Sequence, residues 1–122
     1  MKTTLVFLAV VFLWSSASAQ ATGTRLLRMC QAAEKHFDKQ TITNDEAIFA
    51  GFCVGFISGV EEADARINGQ GKAPGGVCLP ATAGAEQMVR VVLKWMREHP
   101  DKLNLNGEEV VVDALKAAFP CH

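Results

Sequence analysis

The stretch that most limits the fold of this chain is Ala47-Ile48-Phe49-Ala50-Gly51-Phe52-Cys53-Val54-Gly55-Phe56-Ile57-Ser58-Gly59-Val60, uncharged throughout and bounded by Asp45-Glu46 and Glu61-Glu62. Thr43 stands three residues before Glu46, the spacing of a capping box, so a helix is predicted to start there. No proline follows, and the helix should run to about Arg66. Ala47, Gly51, Gly55, Gly59 and Ala63 recur every fourth residue and form one ridge almost without side chains. Phe49, Phe52, Cys53, Phe56 and Val60 fall on a broadly opposite arc. Each of the three interior glycines costs about 1 kcal/mol relative to alanine, which the close approach of another helix backbone would offset. A membrane span needs about 20 apolar residues, and this run is shorter. The stretch therefore reads as a core helix, apolar on nearly all sides and set in the middle of the fold.

The first 19 residues read as a separate unit. Lys2 supplies a positive start, Leu5 to Trp14 an apolar segment, and Ala17-Ser18-Ala19 a small-residue cleavage site before Gln20. That is the pattern of a cleavable secretory signal peptide, leaving residues 20–122 as one small domain with no membrane segment. No cysteine follows the site closely, so no lipid anchor is expected. Without Lys2 the domain carries 11 of the 12 basic residues against all 13 acidic ones. This slight excess of negative charge, scattered and without aromatic interleaving, argues against nucleic acid or an anionic membrane surface as partner.

Thr24 is a candidate cap for a first helix, Arg25 to about His36, with Leu26, Leu27, Cys30, Ala33 and Phe37 at helical spacing. The short connection Asp38 to Ile42 makes this helix an antiparallel neighbour of the glycine-spaced one. Asn68-Gly69-Gln70-Gly71-Lys72-Ala73-Pro74-Gly75-Gly76 breaks all periodicity and predicts an exposed loop, anchored at its far end by Cys78. Thr82 is the expected cap of a third helix, Ala83 to Glu98, ended by His99-Pro100. Its apolar stripe is Met88, Val89, Val92, Trp95 and Met96, and Arg90, Lys94 and Arg97 form a basic row facing solvent. Asn106 and Glu109 suggest another capping box, with Leu105 and Val110 as a hydrophobic staple. It would open a fourth helix, Gly107 to about Ala118, that buries Val111, Ala114, Leu115 and Ala118. No strand pattern emerges, and the expected architecture is all-α, a compact bundle of four helices.

Four cysteines in a short secreted chain predict two disulfides. Cys30 lies about two turns before the first connection and Cys53 about as far after it, so antiparallel packing sets them level. Cys78 precedes the third helix, and Cys121 follows the fourth, which returns toward it. The expected pairs are Cys30–Cys53 and Cys78–Cys121.

Catalytic equipment is scarce. His36 and His99 sit at helix ends, where a cation suits the helix dipole, and His122 ends the chain. Four paired cysteines leave no thiol nucleophile. The one serine beyond the signal segment, Ser58, falls inside the apolar helix. There is no C-x-x-C pair, phosphate loop, glycine-serine elbow or paired-histidine motif, so no catalytic residue, metal ligand or cofactor is expected. Glu61, Glu62 and Asp64 form an acidic cluster where the central helix ends. Their plainest reading is a solvated helix face, and a catalytic pair would need apolar surroundings to raise a pKa. Beside the glycine-rich loop they also form a contact surface. Glu61, Glu62 and Asp64, with Asn68, Gln70 and Lys72 of the loop, are the candidate partner-binding residues, while Gly51, Gly55 and Gly59 are assigned to helix packing.

Taken in order, the glycine-spaced helix carrying Cys53, then Val77-Cys78-Leu79-Pro80, Val91-Val92-Leu93-Lys94-Trp95-Met96 with His99-Pro100, and Ala114-Leu115-Lys116-Ala117-Ala118-Phe119-Pro120-Cys121 resemble the Tai-type (Rap/Tai) immunity family of bacterial type VI secretion. The resemblance spans Cys30 to Cys121. It implies an all-helical, periplasmic, homodimeric protein without catalytic activity. Such a protein neutralises a secreted peptidoglycan amidase by covering its Cys–His cleft with a protruding loop and the adjoining helix surface. Phe52 and Phe56 stand where the family often has tyrosine.

Two other classes compete. A small periplasmic chaperone, opening at low pH to expose apolar helix faces, would need a sharper titrating cluster than dispersed acids and three histidines provide. A small enzyme or metal binder lacks its motifs.

Overall fold

The computed structural model describes residues 20–68 and 74–122, and the expected signal peptide, residues 1–19, lies outside them. Four helices follow in order: α1 (Gly23–Phe37), α2 (Asn44–Ile67), α3 (Ala85–Glu98) and α4 (Gly107–Ala118), with a 3-10 turn at Pro100–Lys102. No strand occurs among the described residues. Two isolated antiparallel bridges, Thr22 with Asn106 and Val77 with Pro120, tie the segments before α1 and before α3 to opposite ends of α4.

The capping box at Thr43 forms as its spacing dictates. The Thr43 hydroxyl accepts from the Glu46 amide at 3.2 Å, and the Glu46 carboxylate accepts from the Thr43 amide at 2.9 Å. The other three starts differ from expectation. Thr22, not Thr24, caps α1. The amides of Gly23 and Thr24 donate to the carbonyls of Leu105 and Leu103, so a contact from the far end of the chain fixes where α1 begins. Gly84, not Thr82, is the N-cap of α3, because Ala83 donates to Pro80 and closes a turn through residue 82. Asn106 caps α4 without a side-chain hydrogen bond, so no box with Glu109 forms. The first amide of α4, that of Gly107, instead donates to the Ala21 carbonyl at 2.6 Å.

All four helices contribute to one core. Leu26, Cys30 and Ala33 of α1 meet Cys53 and Ile57 of α2, Val89, Val92, Leu93 and Met96 of α3, and Val110, Val111 and Leu115 of α4, all at most 1% exposed. Each fully buried aliphatic side chain of this size contributes roughly 1.5–3 kcal/mol. Leu105 is half-buried against this core, while Ala118, expected inside, is exposed. Both disulfides pair as the topology requires, Cys30–Cys53 and Cys78–Cys121, each with Cα atoms 5.0 Å apart. Cys30–Cys53 pins α1 to α2 inside the core. Cys78–Cys121 fastens the approach to α3 onto the tail after α4, where Cys78 also donates its amide to Phe119 at 2.8 Å.

The row Arg90, Lys94 and Arg97 is not simply solvent-facing. Arg97 makes two hydrogen bonds, at 3.0 and 2.6 Å, to the two carboxylate oxygens of Glu34, and Arg90 bridges Asp38 and Glu86, each at 2.8 Å. These pairs tie α3 to α1 and its C-terminal turn. The larger correction concerns α2, which does not sit in the middle. It gives the core only Ala50, Cys53 and Ile57, because α1, α3 and α4 all pack against one side of it.

Candidate functional site

Period 3.6 places Gly55 about 160° around α2 from Cys53 and Ile57, which are buried. The whole small-residue ridge, Ala47, Gly51, Gly55, Gly59 and Ala63, is consequently exposed. A methyl group built on Gly51, Gly55 or Gly59 would find nothing within 4 Å among the described residues, so none of the described helices approaches the ridge. Among the described residues the expected helix packing at these glycines does not occur. Phe52 lies beside the ridge and is 61% exposed, rather than lying on an opposite arc. Ile48, Phe49 and Ile67 are also exposed, and all four exposed large hydrophobic residues among the described ones belong to α2.

Two shallow apolar depressions flank the ridge. One, of about 520 Å³, lies toward α1 and is lined by His36, Phe37, Gly51 and Val54 among others. The second, of about 550 Å³, lies toward α4 and is lined by Phe56, Gly59, Ile67 and Val112 among others. Gly55 lines both, so the missing side chains of the ridge join them. The sequence marked these glycines as unusual, but the side of the bundle they occupy depends on tertiary packing.

At the C-terminal end of α2 the acidic cluster divides its partners. Glu62 accepts from Arg66 at 3.0 Å, and Asp64 accepts from the Asn68 side chain at 2.7 Å. Glu61 is half-buried, and its carboxyl is pushed above the usual carboxylate range, first by burial and then by the charges of Glu62 and Asp64. Apolar surroundings do therefore act on this cluster, contrary to expectation. Glu61, Glu62, Asp64 and Asn68 share one helix end, while the other two candidates, Gln70 and Lys72, lie outside the described residues.

Nothing here assembles into a nucleophile and base. All four cysteines are in disulfides, so there is no free thiol among the described residues. His99 is stacked on Trp95, with ring centroids 4.2 Å apart, and its Nδ1 lies 2.8 Å from the Trp95 carbonyl, a position that finishes α3. Ser58 is half-exposed on α2 rather than buried. No cluster of three or more histidine, cysteine or acidic residues suited to a metal ion occurs among the described residues. None of their helices is long and apolar enough to cross a membrane. What the site offers is contact area, an apolar helix face ending in acidic groups.

The sequence model of the Rap1a immunity proteins matches residues 22–121. No curated protein and no solved structure matches the chain. The matched span contains all four helices and both disulfides.

Proposed function

The chain belongs to the Rap1a immunity proteins, a membership that implies a partner effector protein, and we propose that it binds and inhibits a secreted peptidoglycan amidase. The single observation that carries this reading is the family match, which runs across the whole helical domain. The mechanism is occlusion. The protein brings no catalytic group of its own and covers the amidase's active-site cleft, so that the cross-linking peptides of the cell wall cannot enter. It does so in the periplasm after export by its signal peptide, as a homodimer, in cells exposed to type VI secretion by their neighbours.

Physical features support the role without identifying the target. Two disulfides reduce the conformational freedom that binding would otherwise have to remove. The oxidising compartment proposed is the one in which such bonds persist. Acidic groups at the end of α2 suit a basic rim around a cleft, where they would speed encounter more than they deepen affinity.

The direct test uses the oxidised domain, tagged, with purified peptidoglycan amidases encoded by the same and neighbouring strains. Capture of one amidase, with loss of its cleavage of purified peptidoglycan at equimolar inhibitor, is the expected result. A folded protein that captures none of them and leaves each fully active would overturn the reading.

A further inference from the structure

We propose that the depression at the start of α1 is the seat of an acidic segment of the effector protein, with Arg25 and Arg28 receiving its carboxylates and Met29 and Phe49 an apolar side chain beside them. This deepens the inhibitor reading by assigning part of its contact surface. It rests on that reading only for the effector as the source of the segment.

The arginines of this chain divide into two groups. Arg66, Arg90 and Arg97 each hold a carboxylate of the same chain, at 2.6 to 3.0 Å. Arg25 and Arg28 are exposed, and neither guanidinium has an ion-pair or hydrogen-bond partner among the described residues. Residues 1–19 and 69–73 contain no aspartate or glutamate, so they have no carboxylate side chain to offer the pair. Placed at i and i+3 on one helix face, with Cβ atoms about 5–6 Å apart, the two cations repel one another. Arg25 also stands where a cation suits the helix least. Thr22 caps α1 and accepts from the Arg25 amide, so Arg25 takes the place in α1 that Glu46 takes behind Thr43 in α2. A glutamate there could close a capping box and complement the helix dipole, yet the first turn of α1 has no acidic residue. Local stability does not account for the arginine.

The surroundings define what fits. The depression measures about 440 Å³ and is lined by Thr22, Thr24, Arg25, Arg28, Met29 and Phe49, with no acidic residue on its wall. The backbone at the helix start is already engaged: the amides of Gly23, Thr24 and Arg25 donate to Leu105, Leu103 and the Thr22 hydroxyl. Recognition of charge therefore falls to the two guanidinium groups, each able to take a carboxylate through two parallel hydrogen bonds. Alternate residues of an extended segment share one side at about 6–7 Å, close to the arginine spacing, so two acids separated by one residue reach both. Met29, buried, and Phe49, 39% exposed, supply the apolar part. Arginine, methionine and an aromatic ring are the side chains that protein interfaces favour. Two cations on a domain of slight negative charge suit a discrete pair of carboxylates rather than a polyphosphate.

An NMR titration of the isotope-labelled, oxidised domain tests the seat. The probe is a synthetic peptide with blocked ends that carries two glutamates separated by one residue, followed by a phenylalanine. The Nε–H signals of Arg25 and Arg28 should move, while those of Arg66, Arg90 and Arg97 stay in place. Arg25→Glu combined with Arg28→Glu should weaken the peptide about tenfold, the loss of two exposed ion pairs. The same variant should melt no lower than wild type, because the first turn gains the charge its dipole favours. Against a captured amidase it should inhibit less well by a similar factor. Movement of every arginine alike would overturn the proposal, as would a short DNA of equal charge that moves Arg25 and Arg28 more strongly than the peptide. So would movement on concentrating the protein alone, since a second copy would then be the occupant. An amidase captured and inhibited equally by wild type and variant would overturn it too. Failure of the inhibitor reading looks different: neither protein captures an amidase, while the peptide still moves the two arginines.

Discussion

Gly107→Ala tests the account of how the two ends of the chain are joined. A methyl group at Gly107 would lie 2.8 Å from the Ala21 carbonyl oxygen and 3.0 Å from Cζ of Phe56. The Phe56 ring is the far end of a flexible, half-buried side chain, but the Ala21 carbonyl has little freedom. It follows into Gly23 and Thr24, whose amides are held at 2.9 Å by Leu105 and Leu103, and Gly23 itself has backbone atoms of Leu103 within 3.0 Å of any added Cβ. The methyl therefore breaks the Gly107–Ala21 hydrogen bond and leaves a buried amide unpaired, at about 1–3 kcal/mol. The better helix propensity of alanine returns at most about 1 kcal/mol. The expected net loss is about 1 kcal/mol, the midpoint of that cost less the propensity gain, which in a domain of this size lowers Tm by roughly 4–8 °C. Urea denaturation and thermal melts followed by circular dichroism measure it. Gly51→Ala should instead gain up to about 1 kcal/mol, because its methyl meets nothing. A Gly107→Ala protein within about 0.5 kcal/mol of wild type, on the scale of an ordinary surface change, would refute the close-approach argument.

Three further outcomes follow from other contacts. The disulfides close sequence separations of 23 and 43 residues, worth about 3.4 and about 4 kcal/mol by chain entropy alone. Because Cys30 and Cys53 are fully buried, replacing that pair by alanine should cost more in urea denaturation than replacing Cys78 and Cys121, and mass spectrometry after brief thiol treatment should find the exposed Cys78–Cys121 bond opened first. Arg97 holds the Glu34 carboxyl below its ordinary value of 4.5, so the pair's stabilisation is complete above that pH and disappears as the pH falls through the lowered value. Glu34→Gln should accordingly cost about 0.5–1 kcal/mol at neutral pH and nothing at the acid end of a stability profile. Glu61 shifts the other way: its charged form is disfavoured in the fold, so the penalty grows as the pH rises through the raised value. Glu61→Gln should raise Tm at neutral pH, and the gain should vanish below the carboxylate range.

The readings that survived share a physical basis. Thr43 and Glu46 form their box because both partners lie within one helical turn, and the disulfide pairing followed because a five-residue connection leaves two helices little choice but to run antiparallel. The failures are equally specific. Thr24 has the chemistry of a cap, yet its hydroxyl donates to Leu103, 79 residues away. Thr82 lost its role to a turn at Pro80, and Asn106 to a backbone pairing with Thr22. Thr24 and Asn106 were displaced by contacts from the far end of the chain, and Thr82 by a local turn. The same holds for the candidate site: the glycine ridge was legible as unusual, but whether it faced a neighbour or water depended on three helices packing against one side of α2. The shift at Glu61 was hidden for the same reason, since burial is a property of the assembled bundle.

The suture between residues 21–24 and 103–107 also sets a clock. Contacts within α1 and α2 close over short loops and form early, whereas Thr24 and Leu103 are 79 residues apart. At the 5–20 residues per second of synthesis, a chain exported from its N-terminus in step with its synthesis waits about 4–16 s between the arrival of one partner and the other. Through that interval α4 has not yet covered its side of the core, so the nascent protein exposes apolar surface at two places, that vacant seat and the outer face of α2. Folding assistance, if the cell supplies any, is needed in those seconds and at those two faces.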